Sequence, residues 1–233
     1  MDETFWRYIR IHRHHLHNDL QFKEDIKTLL ACTVIWTVMW LCIKWWPGKL
    51  FKAVDKKHEV DLQNRYVSLV HGFGAIIYGT YHFVYVPPVC GSMITPLQRY
   101  SILFSISYFM YDLVAMYIEG LLDFAMSFHH ILVVFAFMLP LYDNIMGDYT
   151  MLAIFFTEIS NPPMHLRHIL RSQGKRYTLA YEAMEIVYVA LYIVCRGALV
   201  VPVSYNTIMC PENHLILKIS CSGLTFQAYY FIF

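Results

Sequence analysis

Two adjacent histidines, His129 and His130, head the otherwise apolar run SFHHILVVF at residues 127–135. A neutral imidazole serves as a general base or as a nucleophile toward an acyl group. Neighbours on a helix point about 100° apart, so one ring can face a bundle interior while the other faces an adjacent helix. A carboxylate on the preceding helix, Asp112 in SISYFMYDLVAMYI, is placed to orient one ring and stabilise its charged form, as the third member of a triad does. Further ionisable groups lie in apolar surroundings: Glu158 in FFTEISNPP, Arg196 in YIVCRGALV, and His71 and His82 in the run before them. An Asp, Lys or Arg at a bilayer centre costs about 2.5–3.5 kcal/mol on insertion scales, so such groups turn toward a cavity or toward each other. Two readings stand: an ion-pair network that fixes helix packing, or a lipid or acyl pocket with reactive groups. His129, His130, Asp112 and Glu158 are the candidate catalytic set, and Arg196, Asn161, His71 and Ser68 the candidate polar lining.

The elements that must position these groups are membrane helices. Of the 233 residues 58% are hydrophobic and 15% charged, too little charge to cover a soluble domain of this size. Mean hydropathy is +0.42. Aromatics reach 17%, which suits many membrane–water boundaries. A net charge of +1 excludes the concentrated basic face that duplex nucleic acid requires.

A transmembrane helix needs about 20 mostly apolar residues, and seven runs qualify: 28–46, 66–86, 97–118, 124–141, 149–170, 180–201 and 215–233. The chain thus divides into a polar, amphipathic tail (1–27) and a membrane domain (28–233). The fifth run is interrupted by Pro162 and Pro163, and such breaks survive in lipid only where protein or a wet cavity satisfies the freed carbonyls. The seventh stops at AYYFIF with no polar tail and is expected to be cut short. Lys44, Lys49, Lys52, Lys56 and Lys57 share a face with Arg167, Arg171, Lys175 and Arg176, which should be cytosolic, or matrix, by the positive-inside rule. The tail then lies opposite, with basic residues of its own. Its Phe5, Trp6, Tyr8, Ile9 and Ile11 beside arginines and histidines read either as an interfacial helix or docking element for partner subunits, or as a plain polar tail. No secretory signal is visible in it.

The six cysteines include no C-x-x-C pair, so no zinc or other metal site is expected. Cys90 and Cys210 fall in loops on one face. They form a disulfide if that face borders an oxidising lumen, and two free thiols otherwise.

The order LQNRYVSLVHG, SYFMYDL, FHHILVV, EISNPPMHLRHIL, CRGALVVP resembles the TLC-domain family, the multi-span proteins that include the ceramide synthases. The likeness runs from about Asn64 to the C-terminus. It implies an all-α fold: a six-helix transmembrane barrel with one extra N-terminal span, around a lipid-accessible cavity lined by Asp112, His129, Glu158 and Arg196. In the synthases a histidine pair matching His129 and His130 serves acyl transfer from acyl-CoA to a sphingoid amine. Where the synthase signature continues with H-D-x-x-D, this chain reads TEISNPPMHLR, closer to the small TLC-domain-containing subgroup linked to membrane lipid composition. No cofactor is implied, with acyl-CoA as the candidate substrate. Haem ligation by His71, His82, His129 and His130 has no support from the resemblance.

Three functions follow from these residues: a lipid-acting acyltransferase, a lipid-binding regulator of membrane composition, or an accessory subunit using the barrel as scaffold and lipid clamp. The endoplasmic reticulum or another endomembrane is the expected site, with the mitochondrial inner membrane as the alternative.

Overall fold

Each predicted span corresponds to helix in the computed structural model, which describes the backbone of residues 3–48 and 51–230 and side chains of 20–48, 51–56 and 58–230. Among the described residues nine α-helices follow one another: α1 (Glu3–Lys44), α2 (Lys56–Tyr85), α3 (Pro96–Ile118), α4 (Phe124–Asp143), α5 (Gly147–Glu158), α6 (Asn161–Ser172), α7 (Leu179–Leu191), α8 (Val200–Met209) and α9 (Leu215–Tyr230), with a π-helical stretch (Tyr192–Leu199) joining α7 to α8. Among the described residues, four segments are long and apolar enough to cross a bilayer unaided: Leu20–Lys44, Pro96–Ile118, Phe124–Asp143 and Leu179–Met209. Of the others, α2 carries several polar groups and α5 with α6 the proline break.

Local chemistry sets the boundaries. Asp55 caps α2 by accepting from the His58 amide at 2.9 Å, and Asp123 caps α4 through Met126 at 2.8 Å. Thr95 and Gln98 form a capping box at the start of α3, with Pro96 in its first turn. Asn144, in the left-handed region at φ 57°, ends α4. Pro162 and Pro163 open α6 because a proline ring tolerates the first turn of a helix but not its interior.

Neighbouring helices close into a ring: α2 packs on α3, α3 on α4, α4 on α9, α9 on the π stretch and α8, α8 on α5, and α5 with α6 back on α2. Counting α5–α6 and α7–α8 as one wall each gives six walls. Gly79 lets α2 and α5 approach, since a Cβ there would sit 2.6 Å from that of Phe155. Helix α1 stands outside the ring against α3, α2 and α4. The buried pair Arg99–Asp25 and a 3.0 Å bond from Trp36 Nε1 to Ser107 Oγ tie it to α3. One helix, α1, runs through both the tail and the first span, and Arg99 neutralises Asp25 inside the bundle. The side chains Phe5 to Ile11 of the expected docking face lie outside the described residues.

Contacts define two ends. At one, the 86–95 loop bonds the 144–146 turn (Ile94 N to Asn144 O, 3.2 Å; Met146 N to Ser92 O, 2.8 Å), and a disulfide joins Cys90 to Cys210 with Cα atoms 5.8 Å apart. Asp148 gathers that end by accepting from Ser92 (2.7 Å), Gln98 (2.6 Å) and the Val89 amide (3.1 Å), with His82 at 3.4 Å. At the other, Lys44 pairs with Glu119 and the Val54 amide reaches Ser172 O at 2.9 Å. Lys52, Lys56, Arg171, Lys175 and Arg176 are exposed there.

Candidate functional site

Every wall contributes side chains at helical spacing to a central cavity of about 400 Å³, within the range of small-molecule sites. On α2 these are Asp61, Asn64, Arg65 and Ser68; on α3, Phe109, Asp112 and Met116. Residues three or four apart share a helix face. The polar groups concentrate toward the basic end, where α2 and α4 begin and α3 stops. Toward the disulfide end the charged groups give way to Val203, Leu217 and Met146, with the hydroxyls of Thr150, Ser204 and Thr207 among them.

Asp112 and His130 form the first polar module. Asp112 Oδ2 lies 2.8 Å from His130 Nε2, and its Oδ1 accepts from Asn64 Nδ2 at 2.6 Å. Tyr111 donates to Asn64 Oδ1 at 2.7 Å, which fixes the amide's orientation. His130 Nδ1 lies 2.8 Å from the Met126 carbonyl, which can only accept. Both ring nitrogens thus face acceptors, so the couple holds one more proton than a neutral imidazole beside a carboxylate. His130 is 2% exposed and Asp112 4%, and a buried charge pair of this kind persists only with its hydrogen bonds complete.

His129 differs. Gln227 on α9 donates to the Ala125 carbonyl at 2.9 Å, which turns its Oε1 toward His129 Nδ1 at 3.3 Å. Nδ1 therefore carries the hydrogen and Nε2 keeps its lone pair. Nε2 has no protein partner among the described residues, and the side chain borders the cavity. The two rings stand perpendicular, 5.6 Å apart between centroids. One histidine is committed to a carboxylate; its neighbour is a bare base.

The second module fills the α5–α6 break. Arg196 on the π stretch caps a carbonyl at the end of α5, where the ladder breaks before α6: Nε and Nη2 donate to the Thr157 oxygen at 3.1 and 2.6 Å. Nη2 also reaches Asn161 Oδ1 at 2.9 Å, and Asn161 Nδ2 donates to Glu158 Oε2 at 2.9 Å. The guanidinium lies 5.1 Å over the Tyr192 ring. A π-helical stretch commonly accompanies such sites.

The sequence-predicted residues converge. His129, His130, Asp112, Glu158, Ser68, Asn161 and Arg196 all border this one cavity. His71 stands behind it, with Nδ1 3.5 Å from Glu158 Oε2, Nε2 3.2 Å from Ser105, and its ring stacked 4.0 Å from that of Tyr108. Tyr108 in turn donates to Ser68 at 2.8 Å. Cys90 and Cys210 lie at the far end, where the disulfide leaves no thiolate to ligate a metal beside Glu212. Sequence reasoning passed over Asn64, Gln227 and His165. The signal for His165 was its place four residues after Asn161, on the same face of α6.

A family model for the TLC domain matches residues 61–233, well over half of the chain. The chain belongs to the TLC-domain family. The TLC match begins at Asp61, in the first turns of α2, so the TLC unit is the ring and α1 lies outside it. TLC-domain proteins are membrane proteins associated with lipids, which agrees with a helical bundle whose polar side chains gather inside.

Proposed function

We propose that the protein binds a lipid acyl chain within the ring and transfers an acyl group from acyl-CoA to a lipid amine, with His129 as the base. The observation that carries this is the bare Nε2 of His129 at the cavity wall, beside an Asp112–His130 couple that already holds its proton. A base poised for use is what acyl transfer asks of a side chain. The apolar half of the cavity suits a chain, and the polar half, near the basic end, suits the reacting head. With the basic end cytosolic by its lysines and arginines and the disulfide end lumenal, acyl-CoA would arrive on the side where the polar groups lie. An endomembrane such as the endoplasmic reticulum fits this orientation, and the mitochondrial inner membrane is the alternative.

Purified protein in lipid nanodiscs, given acyl-CoA and a long-chain base, tests the proposal. Product from wild type and none from His129→Ala supports it. Native lipid retained without product under any condition reduces the function to lipid binding.

One observation favours a second reading, an accessory subunit of a membrane assembly: α1 is already helical from Glu3, well before the apolar run that begins at 28. Co-purification at fixed stoichiometry with a defined complex, lost on deletion of the residues before Leu20, would support that role.

A further inference from the structure

We propose that His165 is a further binding residue of this site, whose Nε2–H donates a hydrogen bond to the carbonyl oxygen of the acyl group. The inference rests on the acyl-transfer reading and adds the group that receives the developing negative charge.

His165 lies on α6 four residues after Asn161, so the two share the face turned to the cavity, and it borders that cavity while only 9% exposed. Its Nδ1 sits 3.5 Å from Nη1 of Arg65, which is itself held at 2.8 Å through Nε by Asp61. A guanidinium has donors only, so Nδ1 keeps its lone pair and the hydrogen of the neutral ring belongs on Nε2. That nitrogen has no protein partner among the described residues. His129, across the cavity, has the opposite arrangement, with hydrogen on Nδ1 and a lone pair on Nε2. Two walls thus present one bare acceptor and one bare donor to the same hollow. The ring borders the cavity, so a carbonyl oxygen held there can accept from it.

The step balances with these groups. The lipid amine attacks the thioester carbonyl carbon, forming the C–N bond, while His129 Nε2 takes the amine proton. The carbonyl oxygen becomes an oxyanion and accepts from His165 Nε2–H. A neutral imidazole donates here without giving up its proton. The oxyanion collapses, the C–S bond breaks, and the departing thiolate takes the proton from His129. Arg65 is a positioning residue that fixes the tautomer.

The test is the infrared carbonyl band of a long-chain methyl ketone with an isotopically labelled carbonyl, bound to the protein in nanodiscs. In wild type the band moves to lower frequency than in apolar solvent. In His165→Phe that shift shrinks, and His165→Gln, which keeps a donor, restores it. In the turnover assay His165→Phe lowers kcat by about 10²–10³-fold with KM little changed. An unchanged band in His165→Phe with the probe still bound overturns the proposal and leaves the acyl-pocket reading standing. Failure of the probe to bind wild type overturns both. Nitrogen NMR of histidine-labelled wild type needs no variant: a lone pair, rather than a hydrogen, on His165 Nε2 also overturns it.

Discussion

Arg196 donates through Nε and Nη2 to the carbonyl oxygen of Thr157, on a wall of the ring formed by another part of the chain. A side chain that looks, by composition, like a catalyst or a counter-ion is here first a cap on a carbonyl left open where α5 ends.

Replacing Arg196 tests this role. Arg196→Met leaves the Thr157 carbonyl and Asn161 without donors and should lower stability by about 1–3 kcal/mol. Arg196→Lys keeps the charge but lacks the planar fork, and should recover only part of that loss. Thermal unfolding in detergent reads both; a melting point unchanged in Arg196→Met would refute the bracing role.

Asp112 and His130 should behave as one unit. Asp112→Leu alone strands a buried imidazolium and should cost about 3–5 kcal/mol, whereas Asp112→Leu with His130→Phe should regain much of it. A double-mutant cycle measures this coupling. Additive losses would mean that the pair does not share its proton as described.

His129 predicts the reverse pattern. With Nε2 unpartnered, His129→Ala should change stability by less than about 1 kcal/mol, since it breaks a single neutral hydrogen bond. Acyl transfer should fall by about 10²–10⁴-fold, the usual contribution of a general base. Gln227→Leu should lower the rate by less, because it frees the tautomer without removing the base. Bound lipid, quantified by mass spectrometry, should remain in both variants.

The Cys90–Cys210 bridge closes a loop spanning a sequence separation of 120 residues. Cys90→Ser should cost about 2–4 kcal/mol, in the range for bridges across long loops. In sealed vesicles, a membrane-impermeant thiol reagent applied after reduction should label Cys90 from the lumenal side only. Labelling from the side that bears Arg176 would reverse the orientation proposed above.

The sequence showed where the apolar helices run and which ions were out of place, because a carboxylate or a guanidinium stands out against leucine and phenylalanine. It could not show what held them. Asn64 lies 48 residues from Asp112, and Gln227 lies 98 from His129. Neutral amides carry no penalty large enough to mark them in an apolar run. Arg196 answers to a backbone carbonyl, which has no letter in the sequence at all. The Arg99–Asp25 pair was hidden for a different reason: Asp25 sat among polar residues read as tail, and only the docking of α1 brings it inside. The α5–α6 break was legible from Pro162 and Pro163, since proline's constraint is local.

Among the described helices, α9 alone joins α4 to α8, and it follows the other walls in the chain. Until it docks, those walls form an open trough and His129 lacks Gln227. On the acyl-transfer reading, arrival of this one wall would both seal the vessel and align the base.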